Sequence, residues 1–458
     1  MEETTKNPGE VIKESLSLTS MYGKTEKIEN YVLEIHLYED IYSPFLSGEC
    51  VIDDATNFIE KFPVVGAEKL TISFRTPTFD DKPTQIISKT FFVYGIKERI
   101  LNNDRQQTYK LKFTSQEHIN NNAITISKPF FGTTHEIAGR IFEEYLQKDS
   151  KEQDVHRLEE STVKTPMLIT DTPHKTKIQY ISNGWTPANN LSYLTRKSEG
   201  ASLTGSDFLF YESNKQFFFT SVQFLVKQGK QNYFEEYVYS PPGLDIVGRG
   251  GGDSFYGTEL PSEWTQITNI TIPSTIDIVR SQNSGQYANV TRGYDIVTKE
   301  YREAYIDTLE DFTKFETTDE GNPVPQGTPR NSFTMSTSKV LNSANYDDYS
   351  MNIENALFNE GTRISYLQGL AATKFEIEVP GRTDIEVGSM IKFLYPAAQE
   401  RGANPTGQEH FDKVLSGAYL ISAIRHKMTR GLGGTWEHVM TLEIVKNGLG
   451  KSLGSEDG

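Results

Sequence analysis

With a single cysteine among its 458 residues, the chain cannot form an internal disulfide or a cysteine-based zinc site. That cysteine, Cys50, lies in the strand-like run SGECVI (47–52), where it reads as a small buried apolar residue and not as a nucleophile. Tryptophan is nearly as scarce. Trp185, Trp264 and Trp436 each sit inside a patterned element, which is poor material for the exposed aromatic groove of a glycan-binding module. Excess positive charge is also missing: 46 Lys and Arg face 62 Asp and Glu, for a net charge of −16. A chain that wraps nucleic acid needs clustered cations, so this acidic chain is a poor candidate for that class. There is no run of about 18 apolar residues, and the opening MEETTKNPGEVIKE has no signal-type hydrophobic region. The expectation is a protein without a membrane span, made in a cytosol-like compartment.

Strand signals dominate what is present. NYVLEIHLYED (30–40) alternates with a period of two, setting Val32, Glu34, His36 and Tyr38 on one face against Leu33, Ile35 and Leu37. ECVIDD, KLTISFRT, KTFFVYGIKERI and TYKLKFTS continue the pattern to residue 115 and predict an antiparallel barrel or sandwich. Thr133 and Glu136 have capping-box spacing, with Ile137, Ile141 and Tyr145 on one apolar helical face to about 147. A second helix is expected over 184–200, with Thr186 as its cap, Pro187 in its first turn and Gly200 as its stop. Residues 207–226 read as a hairpin turning at Ser213–Asn214, and 352–373 as a helix. A Gly-rich loop (248–252) and a long polar connection (310–340) lie between them. Strands return at KFEIEV, SMIKFLY, AYLISAIRHKM and HVMTLEIVK.

The two β-rich regions repeat one pattern. KLTISF, FFVYGIKERI and YKLKFTS (69–115) match SMIKFL, AYLISAIRHK and MTLEIVK (389–446) as strand, long loop, long strand, turn, strand. Both long strands end in basic residues, Lys97 and Arg99 in one and Arg425 and Lys427 in the other.

The common catalytic motifs fail on inspection. Gly23-Lys24-Thr25 would need a glycine where Leu18 stands, and His135-Glu136 would need a second histidine where Gly139 stands. No G-x-S-x-G elbow occurs, and the eight histidines show no pair at ligand spacing. Phe208, Phe210, Phe217, Phe218 and Phe219 read as strand core. No catalytic, cofactor-binding or metal-binding residue is assigned, and no enzyme activity or cofactor is expected.

Three stretches carry a more specific likeness: IYSPFLSGECVIDDATNFIEKFPVVGAEKLTISFRTP (41–77), SGQYANVTRGYDIVTKEY (284–301), and RISYLQGLAATKFEIEVPGRTDIEVGSMIKFLYP (363–396) with GAYLISAIRHKMT. The sequence resembles the baseplate central hub proteins of contractile-tailed, T-even-like bacteriophages. Locally, EVPGRTDIEVG reads as a turn between strands and as a fold signature.

The resemblance implies a mainly β fold with α+β insertions, built on two related antiparallel β-barrel (tube-like) domains. The expected divisions are an N-terminal arm (1–28), a first barrel (29–118), inserted α+β parts (119–202 and 229–373), a second barrel (203–228 and 374–447) and a flexible tail (448–458). It implies a virion protein of the tail baseplate, assembled in the host cytoplasm. It also implies a homotrimer with six near-equivalent units, joining a hexameric tail tube to a central spike and enclosing the channel for the tape-measure protein and DNA. The chain ends without spike-like repeats, so the spike is expected to be a separate protein. The alternatives are a glycan-binding or glycan-degrading tail module and a type VI secretion-like spike base.

Overall fold

The computed structural model describes residues 8–76, 86–147, 165–170, 177–200, 205–232, 235–239, 264–275, 277–294, 299–325, 333–338, 349–398, 411–431 and 434–449. The Gly-rich loop 248–252 lies outside them.

The first unit comprises β1 (Ile12–Thr19), β2 (Thr25–Lys27), β3 (Val32–Asp40), β4 (Ser47–Asp54), the one-turn helix α1 (Phe58–Lys61), β5 (Lys69–Arg75), β6 (Ile87–Asn103) and β7 (Gln106–Thr114). Its strand order is β2-β1-β5-β6-β7-β4-β3, antiparallel throughout. Alternation buries Leu70, Ile72 and Phe74 of β5 and Tyr109, Leu111 and Phe113 of β7 in one core. Two expectations are corrected here. Residues 12–27 form a strand–turn–strand and not an arm, because Leu16 and Leu18 of the Ser-rich run pair β1 onto β5 and enter the core. In β3 a bulge between Val32 and Glu34 switches the faces, so Val32 is buried and Leu33 points outward.

The inserted region holds α2 (Gln116–Ala123), β8 (Pro129–Gly132), α3 (Thr134–Ile141), β9 (Met167–Ile169), β10 (Ile178–Ile181) and α4 (Pro187–Thr195). The capping box forms: Thr133 Oγ1 accepts from the Glu136 N–H, and Glu136 Oε2 from the Thr133 N–H. The helix then widens into a π turn over Phe142–Leu146. Helix α4 ends at Thr195 with Arg196 as its cap, ahead of the expected stop at Gly200.

The predicted hairpin is β11 (Phe208–Glu212) and β12 (Phe217–Ser221), but its second arm is shorter than expected, since Val222–Gln231 is helix α5. Ser221 caps α5 through the Phe224 N–H, so the chain changes period there. The hairpin pairs with β9 and not with the second unit's strands. Phe208, Phe210, Phe217 and Phe219 face α3 and α4, while Leu209, Tyr211 and Phe218 join the second unit's core.

Strands β13 (Glu236–Tyr239), β14 (Gln266–Ile267) and β15 (Asn269–Ser274) extend the second unit, although they were expected within the insertion. Helix α6 (Ile278–Asn283), β16 (Ala288–Tyr294), β17 (Tyr301–Asp307), α7 (Thr308–Asp311) and β18 (Phe333–Ser338) follow. The described part of 310–340 is thus ordered, with β18 pairing parallel to β16. Helix α8 (Tyr349–Leu370) lies on that sheet; a Cβ on Gly361 would meet Asn289 and Ile306 at 2.7 Å, which measures how closely they pack.

The second unit closes with β19 (Thr373–Pro380), β20 (Met390–Leu394), β21 (Gly417–Arg430) and β22 (Trp436–Lys446), over a core that includes Phe375, Ile377, Val379, Phe393, Tyr419, Leu442 and Ile444. Of the expected flexible tail, Gly448 and Leu449 are ordered; Leu449 is buried and bridges to Gly321.

The repeat is real in topology. The order β5-β6-β7-β4-β3 is matched by β20-β21-β22-β19-β15, antiparallel at every step. The units differ at the next strand, since β1 is antiparallel to β5 and β13 is parallel to β20. Strand β21 also pairs with β3, so one ladder runs through both units over two distinct cores.

Candidate functional site at the joint of the two units

Strand β21 is long because it serves three neighbours. Its first residues pair with β20, and most of its length pairs with β22. Its distal half also pairs with β3, from Ala423 against Asp40 to Thr429 against Glu34. Met428 faces Ile35 there and completes the first unit's core, together with Trp436.

Polar groups at the joint form a buried chain. His426 Nε2 lies 3.1 Å from Glu39 Oε1, and His426 Nδ1 lies 3.0 Å from His438 Nε2. His438 Nδ1 lies 2.8 Å from Thr76 Oγ1. With both rings neutral the protons run one way: the Thr76 hydroxyl donates to His438, His438 to His426, and His426 to Glu39. Burial, reinforced by the neighbouring His426, holds His438 well below the usual histidine range. The second oxygen of Glu39 accepts the Asn214 N–H at 3.3 Å, which ties the β11–β12 turn to the same point.

The EVPGRTDIEVG motif braces this chain. The Gly381 N–H donates to the His438 carbonyl at 2.8 Å, and a Cβ on Gly381 would sit 2.1 Å from His438 Cγ, so no larger residue fits. Arg382, almost wholly buried, grips both oxygens of Asp384 at 3.0 and 2.8 Å and reaches Glu235 at 3.0 Å. These hydrogen bonds and charges outweigh desolvation and push the guanidinium further up. Thr383 Oγ1 accepts the Thr76 N–H and donates to the Thr76 carbonyl, both at 3.3 Å. The stretch read as a local turn is therefore also the clasp between the two units.

The basic residues at the end of β21 act on the partly exposed side of the joint. The Arg425 guanidinium donates to His36 Nδ1, and His36 Nε2 lies 3.1 Å from Glu34, which also faces Lys427 at 3.8 Å. Burial lowers the pKa of His36; Arg425 adds to that shift and Glu34 opposes it.

A second buried cluster lies nearby. Glu212 accepts the Leu46 N–H at 2.8 Å and pairs with Lys89. Burial, then the charge of Glu212, push Glu117 up to about 7, against the pull of Lys89. Sequence reasoning singled out none of these carboxylates and neither joint histidine. The available signal was the hairpin: with His426 opposite Met440 and Met428 opposite His438, the two histidines fall diagonally on one face.

Residues weighed earlier sit in structural roles. Cys50 is fully buried, which pushes its thiol up. His135 is buried against the Phe208 and Phe219 rings, and desolvation lowers it to about 4. Gly23 occupies a turn at φ +83°. Among the described residues, no group of three or more His, Cys, Asp and Glu side chains is placed to hold a metal ion, and no helix is long and apolar enough to cross a membrane.

Solved structures that resemble nearly the whole chain include two tail proteins. The tail protein from Neisseria meningitidis MC58 is 11% identical, with a TM-score of 0.53 over 95% of this chain and 97% of that one. The 43 kDa tail protein of prophage MuSo2 from Shewanella oneidensis is 9% identical, with a TM-score of 0.54 over 94% and 98%. The fold is shared with tail proteins. No known family pattern matches the sequence, and no curated protein matches it.

Proposed function

We propose that this chain is the structural baseplate hub subunit of a contractile phage tail. Three copies form a ring of six related units, which joins the hexameric tail tube on one face to the central spike on the other. The tape-measure protein and then DNA pass through its channel. The observation that carries this reading is the duplicated unit joined head to tail through β21 and β3, because repeating one such contact around an axis builds a closed ring. The fold shared with tail proteins supports it. The net charge of −16 per chain suits a conduit for DNA, since an acidic wall repels phosphates within roughly 8–10 Å at physiological salt. The role is mechanical: the buried carboxylates and histidines hold the two units in register and carry out no chemistry on a substrate. Electron microscopy of tails carrying an antibody or tag on this chain tests the assignment. Label at the spike end of the tube is expected; label along the sheath or on lateral fibres would refute it.

A further inference from the structure

The repeat makes the two long strands comparable residue by residue. Phe92 of β6 is paired on both sides, with Lys69 and Thr114, and Leu420 of β21 likewise, with Met390 and Val445. The register slips at the same place in both, between Val93 and Gly95 and between Ile421 and Ala423. Beyond that point the two strands part company. The outer edge of β21 is taken by β3, whereas the outer edge of β6 meets no strand among the described residues. A further slip between Lys97 and Ile100 aligns Leu101, opposite Gln107, with Met428, opposite His438. Met428 is 2% exposed, because Ile35 and the first core cover it, while Leu101 is 70% exposed.

The missing neighbour has a counterpart in the same chain. Strand β15 occupies in the second unit the place that β3 occupies in the first: Ile35 pairs with Cys50 of β4, and Ile270 with Ile377 of β19. Among the described residues β15 pairs with β19 alone, and Ile272 on it is 43% exposed. The chain thus displays, among the described residues, one unpaired edge of each kind that it joins internally. A strand edge with unpaired N–H and C=O groups is a template for a further strand.

We infer that the distal half of β6 pairs antiparallel with β15 of a second copy of this chain, reproducing the internal β21–β3 ladder, with Leu101 opposite Ile270. The pairing stops after Ile272, because Pro273 has no N–H to donate. It covers Asn269–Ile272, the counterpart of Glu34–Leu37. This rests on the ring reading above and names the contact that would close it. Both edges belong to every copy, so the contact is head to tail and can repeat.

The test is a double substitution in the full chain, Leu101→Cys with Ile270→Cys, oxidised and compared with the unaltered protein by native mass and non-reducing electrophoresis. The one natural cysteine is buried, so the readout is clean. Antiparallel partners lie within disulfide reach. Covalent multimers are expected, and the single variant Leu101→Asp should lose the multimer with its melting temperature unchanged, since the side chain is exposed. A multimer in which the two introduced cysteines do not crosslink, or one that survives Leu101→Asp, overturns the edge pairing and leaves the ring standing. A chain that stays monomeric at every concentration overturns both.

Discussion

His426 and His438 lie side by side across the β21–β22 hairpin, Nδ1 to Nε2 at 3.0 Å, with both rings shut off from solvent. Each end of the pair is held by the first unit, His426 by Glu39 and His438 by Thr76. Residues far apart in the chain thus meet in one hydrogen-bonded row, so the joint is specified by polar geometry as well as by the apolar contact of Met428 with Ile35.

Acid should loosen the protein through its buried histidines. His438 and His135 are both held below the usual 6.5, so the unfolded chain takes up protons first as pH falls. Their stabilising contribution is complete above pH 6.5 and declines below it. For His135, whose value is about 4, the loss between pH 6.5 and 4 reaches about 3 kcal/mol. Denaturant titrations at pH 7.5, 6 and 5 should show the protein losing stability relative to His135→Phe as pH falls. A difference between the two that is constant across that range contradicts this.

Glu117 works in the opposite direction. Its carboxyl is pushed up to about 7 from 4.5, so the folded protein holds that proton more tightly than the unfolded chain does. The benefit is complete below pH 4.5 and is lost as pH rises through 7. Glu117→Gln keeps the neutral form at all pH values and should stabilise the protein at pH 8 by about 1–3 kcal/mol. Equal or lower stability of the variant at pH 8 would show that Glu117 is well solvated.

The clasp should not tolerate one extra carbon. Gly381→Ala drives a methyl group into the His438 ring and should cost about 1–3 kcal/mol. Thermal unfolding measures it, with Gly139→Ala as a control, because a Cβ there meets nothing within 4 Å. Equal effects of the two substitutions would remove the clasp.

Much of the fold was legible because period-two alternation is local. KLTISF, TYKLKFTS and KFEIEV each bury every second residue, and the matched strand patterns anticipated three of the five strands that the two units share. What stayed hidden was non-local or weakly patterned. Strand β1 alternates leucine with serine and looks like a polar arm until β5 lies beside it. Val222–Gln231 follows a strand without a break and turns helical at the Ser221 cap. The joint assembles Glu39, Thr76, His426 and His438 from separate strands and strand ends, so no spacing rule could gather them. The β21–β3 ladder depends on which edges remain free, and alternation does not encode that.

The stoichiometry of the purified chain bound to its tail tube protein tests the hub reading most directly. Native mass measurement should give three copies of this 51.8 kDa chain, about 155 kDa, on each six-subunit tube ring. Six copies per ring, or no complex with tube protein at all, would contradict the account.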